Sequence, residues 1–146
     1  MIASTVHILL VEDDQVDAEA IKRSFLEHKV SNPIRVVEDG RQALDVLRGQ
    51  SGEPPFPRPF LILLDLHMPW MNGIEFLGEL RRDPDLRASI VFVLTASDAD
   101  RDKAACYGHN VVGYIVKSGA GGDFIELATM LSDYWRVVEF PPEKAG

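Results

Sequence analysis

Charged and hydroxyl side chains follow four apolar stretches of this chain, and their types suit binding of phosphate and a divalent cation. The stretches and the residues after them are VHILLV with Glu12 and Asp13, FLILL with Asp65, IVFVL with Thr95, and VVGYIV with Lys117. Crowded carboxylates resist ionising unless a cation joins them. Mg²⁺ removes that penalty and keeps positions open for phosphate oxygens. A hydroxyl and an ammonium would then hydrogen-bond to the remaining oxygens of a phosphoryl group.

Taken one at a time, these residues have simpler explanations. Asp65 alone would end a strand or cap the next segment, because Asp is a common loop residue. Any other member of the set is equally a turn former or a solvated loop tip. Their joint occurrence after four different apolar stretches is much less expected by chance, so the set as a whole predicts a magnesium and phosphate site.

The elements that would position these residues alternate along the chain. Residues 60–64 are apolar without a break and lie between turn formers, which is typical of a strand covered on both faces. Further strands are predicted at 6–11, 34–37, 90–94 and 111–116. Helical spacing predicts helices at about 15–28, about 98–107 and about 122–136. A second helix should follow Asp39-Gly40 and carry apolar residues 43, 44 and 47, and a third should carry 74, 76, 77 and 80 and stop at Asp83-Pro84. Asp14 and Ser97 are the predicted N-caps of the first and fourth helices.

Five strand–helix units in strict alternation predict parallel strands, right-handed crossovers and helices on both faces of one doubly wound sheet. The carboxyl ends of parallel strands lie at one edge, so the four groups of polar residues should meet there. Residues 49–59 hold four prolines and two glycines and predict a surface loop rather than a domain boundary. We therefore expect a single domain over 1–146, with a core at about 6–136 and a tail at 137–146.

Composition narrows the class of protein. The chain has 146 residues, and 46% of them are hydrophobic. No apolar run approaches the roughly 20 residues needed to cross a bilayer, so we expect a soluble protein without a membrane partner. The start of the chain lacks the pattern of a signal peptide. Cys106 is the single cysteine, which fits a reducing cytoplasm, and we expect it to be a small apolar filler late in a helix rather than a reactive thiol. A net charge of -8 disfavours sequence-independent nucleic-acid binding.

The motifs VEDD, LLDLHMP, MNG, VLTAS and GYIVKS, taken together, resemble the receiver domains of two-component response regulators over residues 7–135. The resemblance implies a flavodoxin-like fold of five βα units in three layers. It also implies a phosphorylation-controlled switch whose partner is a histidine kinase. The short length, the Lys117-Ser118 pair and the closing DYWRVVEFPP are similar to the small regulators paired with cyanobacterial and bacterial phytochromes.

The resemblance also implies roles for individual residues. Asp65 would be the phosphoacceptor that attacks the phosphohistidine of the kinase. Mg²⁺ would be bound directly by Asp13, Asp65 and the backbone carbonyl of His67, and through a water by Glu12. Asp14 lies one place beyond the acidic pair of the family and is assigned to helix capping.

By the same resemblance, Thr95 and Tyr114 would respond to the phosphoryl group. Thr95 would donate to a phosphoryl oxygen and move towards it, and Tyr114 would be the aromatic switch residue whose ring turns inward as it does so. The simpler interpretation is that Tyr114 is an ordinary strand aromatic. Lys117 would pair with Asp65 before transfer and with the phosphoryl group afterwards.

Two positions depart from the common pattern of the family. Most receivers have proline after the lysine, joined by a cis peptide, so Ser118 predicts a non-proline cis bond at a cost of about 3 kcal/mol. His67 lies two places after Asp65, and a ring there is hypothesised to slow dephosphorylation. Ser97 lies at the equivalent position after Thr95. The alternative is that His67 is a solvent-facing residue.

The sequence also leaves alternatives open for output and function. Val137, Val138 and Phe140 make the tail apolar, which predicts either exchange of tails in a homodimer or docking of the tail on its own domain. A Mg²⁺-dependent aspartyl-phosphate phosphatase or phosphotransferase acting on a small phosphate ester is the alternative function. It would need a substrate pocket, for which only the short proline loop is available. A binding module that no longer needs phosphate is a third, weaker alternative.

Overall fold

The computed structural model describes residues 5–50, 52–119 and 124–142. Strands and helices alternate throughout. Their bounds are β1 His7–Val11, α1 Gln15–Glu27, β2 Ile34–Val37, α2 Gly40–Arg48, β3 Phe60–Leu64, α3 Gly73–Arg82, β4 Ile90–Thr95, α4 Asp100–Gly108, β5 Gly113–Val116 and α5 Ile125–Val137. A 3-10 turn at Lys117–Gly119 follows β5.

The strands form one parallel sheet in the order β2-β1-β3-β4-β5. This is the flavodoxin-like order, in which the connections reverse direction between β1 and β3. The crevice at such a reversal point is where open α/β sheets bind ligands. The predicted doubly wound α/β fold is therefore confirmed.

Two hydrophobic clusters cover the two faces of the sheet and make three layers. Residues of β3 alternate between the clusters: Ile62 and Leu64 belong to one, and Leu61 and Leu63 to the other. The first cluster contains side chains of α2 and α3, and the second contains side chains of α1 and α5. Every residue of β3 is buried, which explains its unbroken apolar sequence.

Side-chain caps fix where several helices begin. The Asp14 carboxylate accepts hydrogen bonds from two backbone N–H groups of the first turn of α1, as predicted. Asn72 and Glu75 form a reciprocal capping box at the start of α3. The prediction that Ser97 is the N-cap of α4 is wrong, because α4 begins at Asp100 and its N-cap residue is Ala99.

The predicted cis peptide at Lys117-Ser118 is also wrong. Among the described residues the only cis peptide is Arg58-Pro59, so the Lys117-Ser118 bond is trans. A non-proline cis bond costs about 3 kcal/mol. The trans chain turns at Lys117–Gly119 and still brings the lysine ammonium to the site, so the surroundings do not enforce the costly isomer.

Other predicted features can be compared directly with the structure. Cys106 is fully buried late in α4 and belongs to the first cluster, which confirms its role as an apolar filler. Burial raises the pKa of its thiol to about 11, so the reactive thiolate is disfavoured. Strand β5 begins two residues later than predicted. Within the described residues, no helix has the length and apolar character needed to span a membrane.

Candidate functional site

Three carboxylates meet where β1 and β3 end side by side. Val11 pairs with Leu64, and the backbone N–H of Asp65 donates to the Val11 carbonyl at 3.0 Å. Carboxylate oxygens of Glu12, Asp13 and Asp65 consequently lie within 4.8 Å of one another. Glu12 is 2% exposed and Asp65 is 7% exposed, whereas Asp13 is open to solvent. Pairing of β1 with β3 thus brings the predicted acidic cluster together.

The Lys117 ammonium enters this cluster from the end of β5. Its Nζ atom lies 2.7 Å from Glu12 Oε1, 2.7 Å from Asp17 Oδ2 and 3.5 Å from Asp65 Oδ2. Lys117 therefore contacts Asp65, as expected, but its two shorter contacts are to other carboxylates. One cation placed among three carboxylates offsets part of their mutual repulsion.

Burial and neighbouring charges together raise the pKa values of both the acid Glu12 and the amine Lys117. Burial raises the pKa of Glu12 to about 8; the Lys117 contact opposes this rise and the nearby Asp65 carboxylate adds to it. Burial lowers the pKa of Lys117, but hydrogen bonds to Asp17 and Glu12 outweigh it and raise that pKa above its ordinary value. The ammonium thus stays charged, while ionisation of Glu12 remains costly.

The donor set of this cluster fits a hard divalent cation. Carboxylate oxygens are the ligands that Mg²⁺ and Ca²⁺ prefer. The positive charge of such an ion would lower the free-energy cost of ionising Glu12. The exposed Asp13 gives such an ion a route from solvent. His67 follows in the same loop, and its backbone N–H lies 3.5 Å from Asp65 Oδ1.

A glycine makes the loop after Asp65 possible. A Cβ atom at Gly73 would lie 2.7 Å from the Asp65 carbonyl oxygen and 2.8 Å from Leu66 Cα, so any side chain would force the loop away. The Gly73 N–H also donates to the Leu66 carbonyl at 2.9 Å. The MNG motif therefore positions Asp65 by close backbone approach as well as by capping α3.

Thr95 ends β4, the strand next to β3. Its side chain is fully buried, and its hydroxyl has no hydrogen-bond partner among the residues that the structure describes. Buried hydroxyls nearly always have a partner, and one left without costs free energy. The Thr95 hydroxyl is therefore available to donate a hydrogen bond to an oxygen of a ligand that binds at this edge of the sheet.

The predicted switch residue Tyr114 lies half-buried on β5 and packs against the first hydrophobic cluster. Its hydroxyl donates to the backbone carbonyl of Ser97 at 2.8 Å. The ring thus connects β5 to the loop that follows Thr95. Burial is the main cause that raises the pKa of this phenol.

The sequence analysis missed two site residues, Asp17 and Asp102. Asp17 lies in the first turn of α1 and binds Lys117 across an interval of 100 residues. Asp102 lies in the first turn of α4, where Oδ2 accepts a hydrogen bond from the Ser97 hydroxyl at 2.6 Å and is 3.6 Å from His67 Nε2. Acidic residues in a first helical turn were available as a signal, but they are common there for reasons of the helix dipole alone.

Comparisons with known proteins agree with this geometry. The family model described as the response regulator receiver domain matches residues 8–129. The response regulator Rcp1 of Synechocystis sp. is 34% identical over 128 residues, which are 88% of this chain and 87% of Rcp1.

Solved structures give the same result. The Mn²⁺-bound form of Rcp1 superposes with a TM-score of 0.81 at 32% identity, over 95% of this chain and 100% of that chain. The phosphorylated cyanobacterial phytochrome response regulator RcpA superposes with a TM-score of 0.80 at 30% identity, over 96% of this chain and 100% of that chain. The chain therefore belongs to the response regulator receiver domain family and is a phosphoacceptor signalling switch similar to phytochrome-associated regulators.

Proposed function

We propose that Asp65 accepts a phosphoryl group from the phosphohistidine of a partner histidine kinase. The observation that carries this proposal is the convergence of Lys117, Glu12, Asp13 and Asp65 from three strand ends into one cluster. In the transfer, an oxygen of Asp65 forms a bond to phosphorus as the bond between phosphorus and the imidazole nitrogen breaks. The electron pair of that broken bond stays on the imidazole, so the donor leaves as a histidine.

The chain's own residues orient and stabilise the transferring group. Asp13 and Asp65, with the His67 carbonyl, would hold Mg²⁺ directly, and Glu12 would hold it through a water. When bound, Mg²⁺ supplies positive charge to the phosphoryl oxygens. Lys117 already lies 3.5 Å from Asp65 and is placed to donate to another of those oxygens. Spontaneous loss of the group from Asp65 would be slow, consistent with a switch.

The switch itself would use Thr95 and Tyr114. The Thr95 hydroxyl gains a partner when a phosphoryl oxygen arrives, which favours the state in which Thr95 and the loop after it have moved towards Asp65. Tyr114 holds the Ser97 carbonyl in that loop, so a movement of the loop changes the environment of the ring. Phosphorylation would thus shift a two-state equilibrium that a partner protein reads.

The edge that carries Asp65 offers a contact for the kinase. The similarity of the chain to RcpA, a phytochrome response regulator, supports a kinase of the phytochrome type. Trp70 lies in the same loop, is 88% exposed, and adopts a left-handed backbone conformation with φ of 66°. Both features are unfavourable in an isolated domain. Exposed tryptophan is enriched among the residues that dominate binding energy. A kinase that uses ATP as its phosphate source would place the pair in the cytoplasm.

A homodimer is the second part of the proposal. Phe140 packs edge-to-face against Tyr134, so part of the tail docks on its own domain. Val137 is nevertheless 83% exposed, and Met130 lies two helical turns earlier on the same side of α5. A second copy would cover this face. We expect deletion of residues 137–146 to weaken the homodimer. If sedimentation shows both forms to be equally dimeric, the tail is not the interface.

The decisive experiment compares wild type with Asp65→Asn. Both are incubated with the catalytic part of an autophosphorylated phytochrome histidine kinase, labelled from ATP, and separately with acetyl phosphate and Mg²⁺. We expect one labelled phosphoryl group per wild-type chain and none on the variant. Labelling that survives the substitution would remove Asp65 from the mechanism. Sustained hydrolysis of small phosphate esters would instead support an aspartyl-phosphate enzyme.

A further inference from the structure

A cavity of about 290 Å³ lies beside the proline-rich segment at residues 53–57. Apolar side chains make up most of its lining, among them Ile34, Val46 and Phe56. Sites for small molecules are typically clefts of about 300–1,000 Å³ with mainly apolar walls and a few polar groups. The cavity therefore has the composition of a ligand site, at the small end of the range of volumes.

This cavity lies at the edge of the sheet opposite the phosphoacceptor. His7 and Ile34 line it and are the first residues of β1 and β2, whereas Asp65 follows the last residue of β3. Five residues of a strand span about 16 Å. A molecule in the cavity would thus be a second ligand, out of reach of Asp65 and separate from the phosphoryl group.

The segment beside the cavity is held in place by packing. The Phe56 ring packs edge-to-face against His7 and Phe60, with ring centroids 6.0 Å and 5.6 Å apart. Gly49 has a φ of 78°, and a Cβ atom there would lie 2.8 Å from the Pro55 nitrogen, so only glycine lets the chain pass this closely. Proline rings restrict the backbone further. A site ordered in advance loses less entropy when a ligand binds.

Two charged side chains in the lining indicate the kind of ligand. Arg35 Nη1 and Nη2 each donate to a Glu53 carboxylate oxygen at 3.2 Å. These are the hydrogen bonds of the guanidinium to the described residues, so three of its five N–H donors remain for another acceptor. The side chains are 43% and 55% exposed, and exposed ion pairs are weak. A ligand carboxylate can therefore share Arg35 with Glu53 or replace Glu53 at little cost.

We propose that this cavity binds a small aromatic carboxylate. Its ring would pack among Ile34, Val46 and Phe56, where the Phe56 ring offers an aromatic contact, and its carboxylate would accept hydrogen bonds from Arg35. The proposal is independent of the phosphorylation of Asp65. It gives the proline-rich segment a role that the phosphoacceptor site does not.

The test titrates the full chain with 2-naphthoate and, separately, with naphthalene-2-methanol, which has the same rings and no charge. Methyl NMR signals of Ile34 and Val46 report binding in the cavity. We expect 2-naphthoate to shift both signals saturably with a Kd of about 1 mM or lower, and the alcohol to bind about tenfold more weakly. Arg35→Gln should weaken binding of 2-naphthoate by about tenfold and leave that of the alcohol unchanged.

The matched control is Arg41→Gln, which removes an exposed arginine from the first turn of α2, outside the cavity. It should bind both probes as wild type does. Val46→Phe should abolish binding of both probes because the larger side chain fills the cavity. Thermal unfolding checks that each variant is folded, and if Val46→Phe is not, Arg35→Gln decides, since its ion pair is exposed.

Several results would overturn the proposal. These are an absence of saturable shifts at Ile34 and Val46 in wild type, equal affinity for the two probes, full affinity for 2-naphthoate in Arg35→Gln, or an equal loss in Arg41→Gln. Asp65→Asn should bind 2-naphthoate with the affinity of wild type. Failure of this proposal and failure of the proposed phosphorylation are therefore distinguishable.

Discussion

Replacing Thr95 with valine should make the domain more stable and less able to respond to phosphate. The Thr95 hydroxyl is fully buried and has no hydrogen-bond partner among the described residues. A buried polar group without a partner costs about 1–3 kcal/mol. Valine has nearly the same shape, so the substitution removes this cost without opening a cavity.

We expect the free energy of unfolding of Thr95→Val to rise by about 1 kcal/mol, the lower end of that range, with a melting temperature higher by about 3 °C. Thr95→Ser is the matched variant. It keeps the hydroxyl and deletes a buried methyl group, which should lower the free energy of unfolding by about 1 kcal/mol. The two variants therefore shift stability in opposite directions.

Phosphorylation should show the reverse order. Serine still donates to a phosphoryl oxygen and valine does not, so labelling by acetyl phosphate should be slower in Thr95→Val by about tenfold or more and closer to wild type in Thr95→Ser. Urea unfolding and the labelling rate are measured on the same preparations. If Thr95→Val loses more than about 1 kcal/mol of stability, the hydroxyl is satisfied in the resting domain and the reasoning is refuted.

Three other changes test separate parts of the structure. Lys117→Met leaves Glu12 buried without its cation. Because the raised pKa of Glu12 lets it take up a proton rather than stay charged, we expect a loss of about 1–3 kcal/mol in urea unfolding that added Mg²⁺ partly restores; an unchanged midpoint would contradict the charge cluster. Arg81→Met removes a guanidinium that donates hydrogen bonds to the backbone carbonyls of four residues (Arg87, Ser89, His109, Asn110). The free energy of unfolding should therefore fall by about 2–4 kcal/mol, while the half-life of the phosphoryl group stays the same. Trp70→Ala should change the free energy of unfolding by less than about 0.5 kcal/mol. It should slow phosphoryl transfer from the kinase by about tenfold and leave labelling by acetyl phosphate unaffected; equal slowing with both donors would exclude a docking role.

The strands, and the edge of the sheet at which they end, could be predicted because their sequence signals are local. An unbroken apolar stretch such as Phe60–Leu64 reports burial on both faces directly, and parallel pairing then requires the residues after each strand to share an edge. The pairing of Val11 with Leu64 places Glu12 beside Asp65. For this reason the carboxylate cluster was predictable before any side-chain position was known.

The start of α4 was less predictable because its sequence is a weak guide. Cys106 is its only buried residue, so no apolar stripe fixes the helix register. As an N-cap, the Ser97 hydroxyl would accept from the backbone of a helix starting at residue 98. In the structure it donates to the Asp102 carboxylate and accepts from the Ala99 N–H, and α4 begins at Asp100. A local pattern cannot decide between a cap and a side-chain partner five residues away.

Two of the predicted site residues, Glu12 and Thr95, cost the resting domain free energy. Glu12 is ionised only at a penalty, and the Thr95 hydroxyl has no partner among the described residues, so the resting domain contains two unfavourable features at one edge. A divalent cation relieves the first and a phosphoryl oxygen relieves the second. Lys117 lies 2.7 Å from both Glu12 and Asp17 and offsets part of the repulsion among the carboxylates. Since a ligand shifts an equilibrium only by its differential affinity for the two states, these unmet interactions are the source of the free energy that would drive the switch.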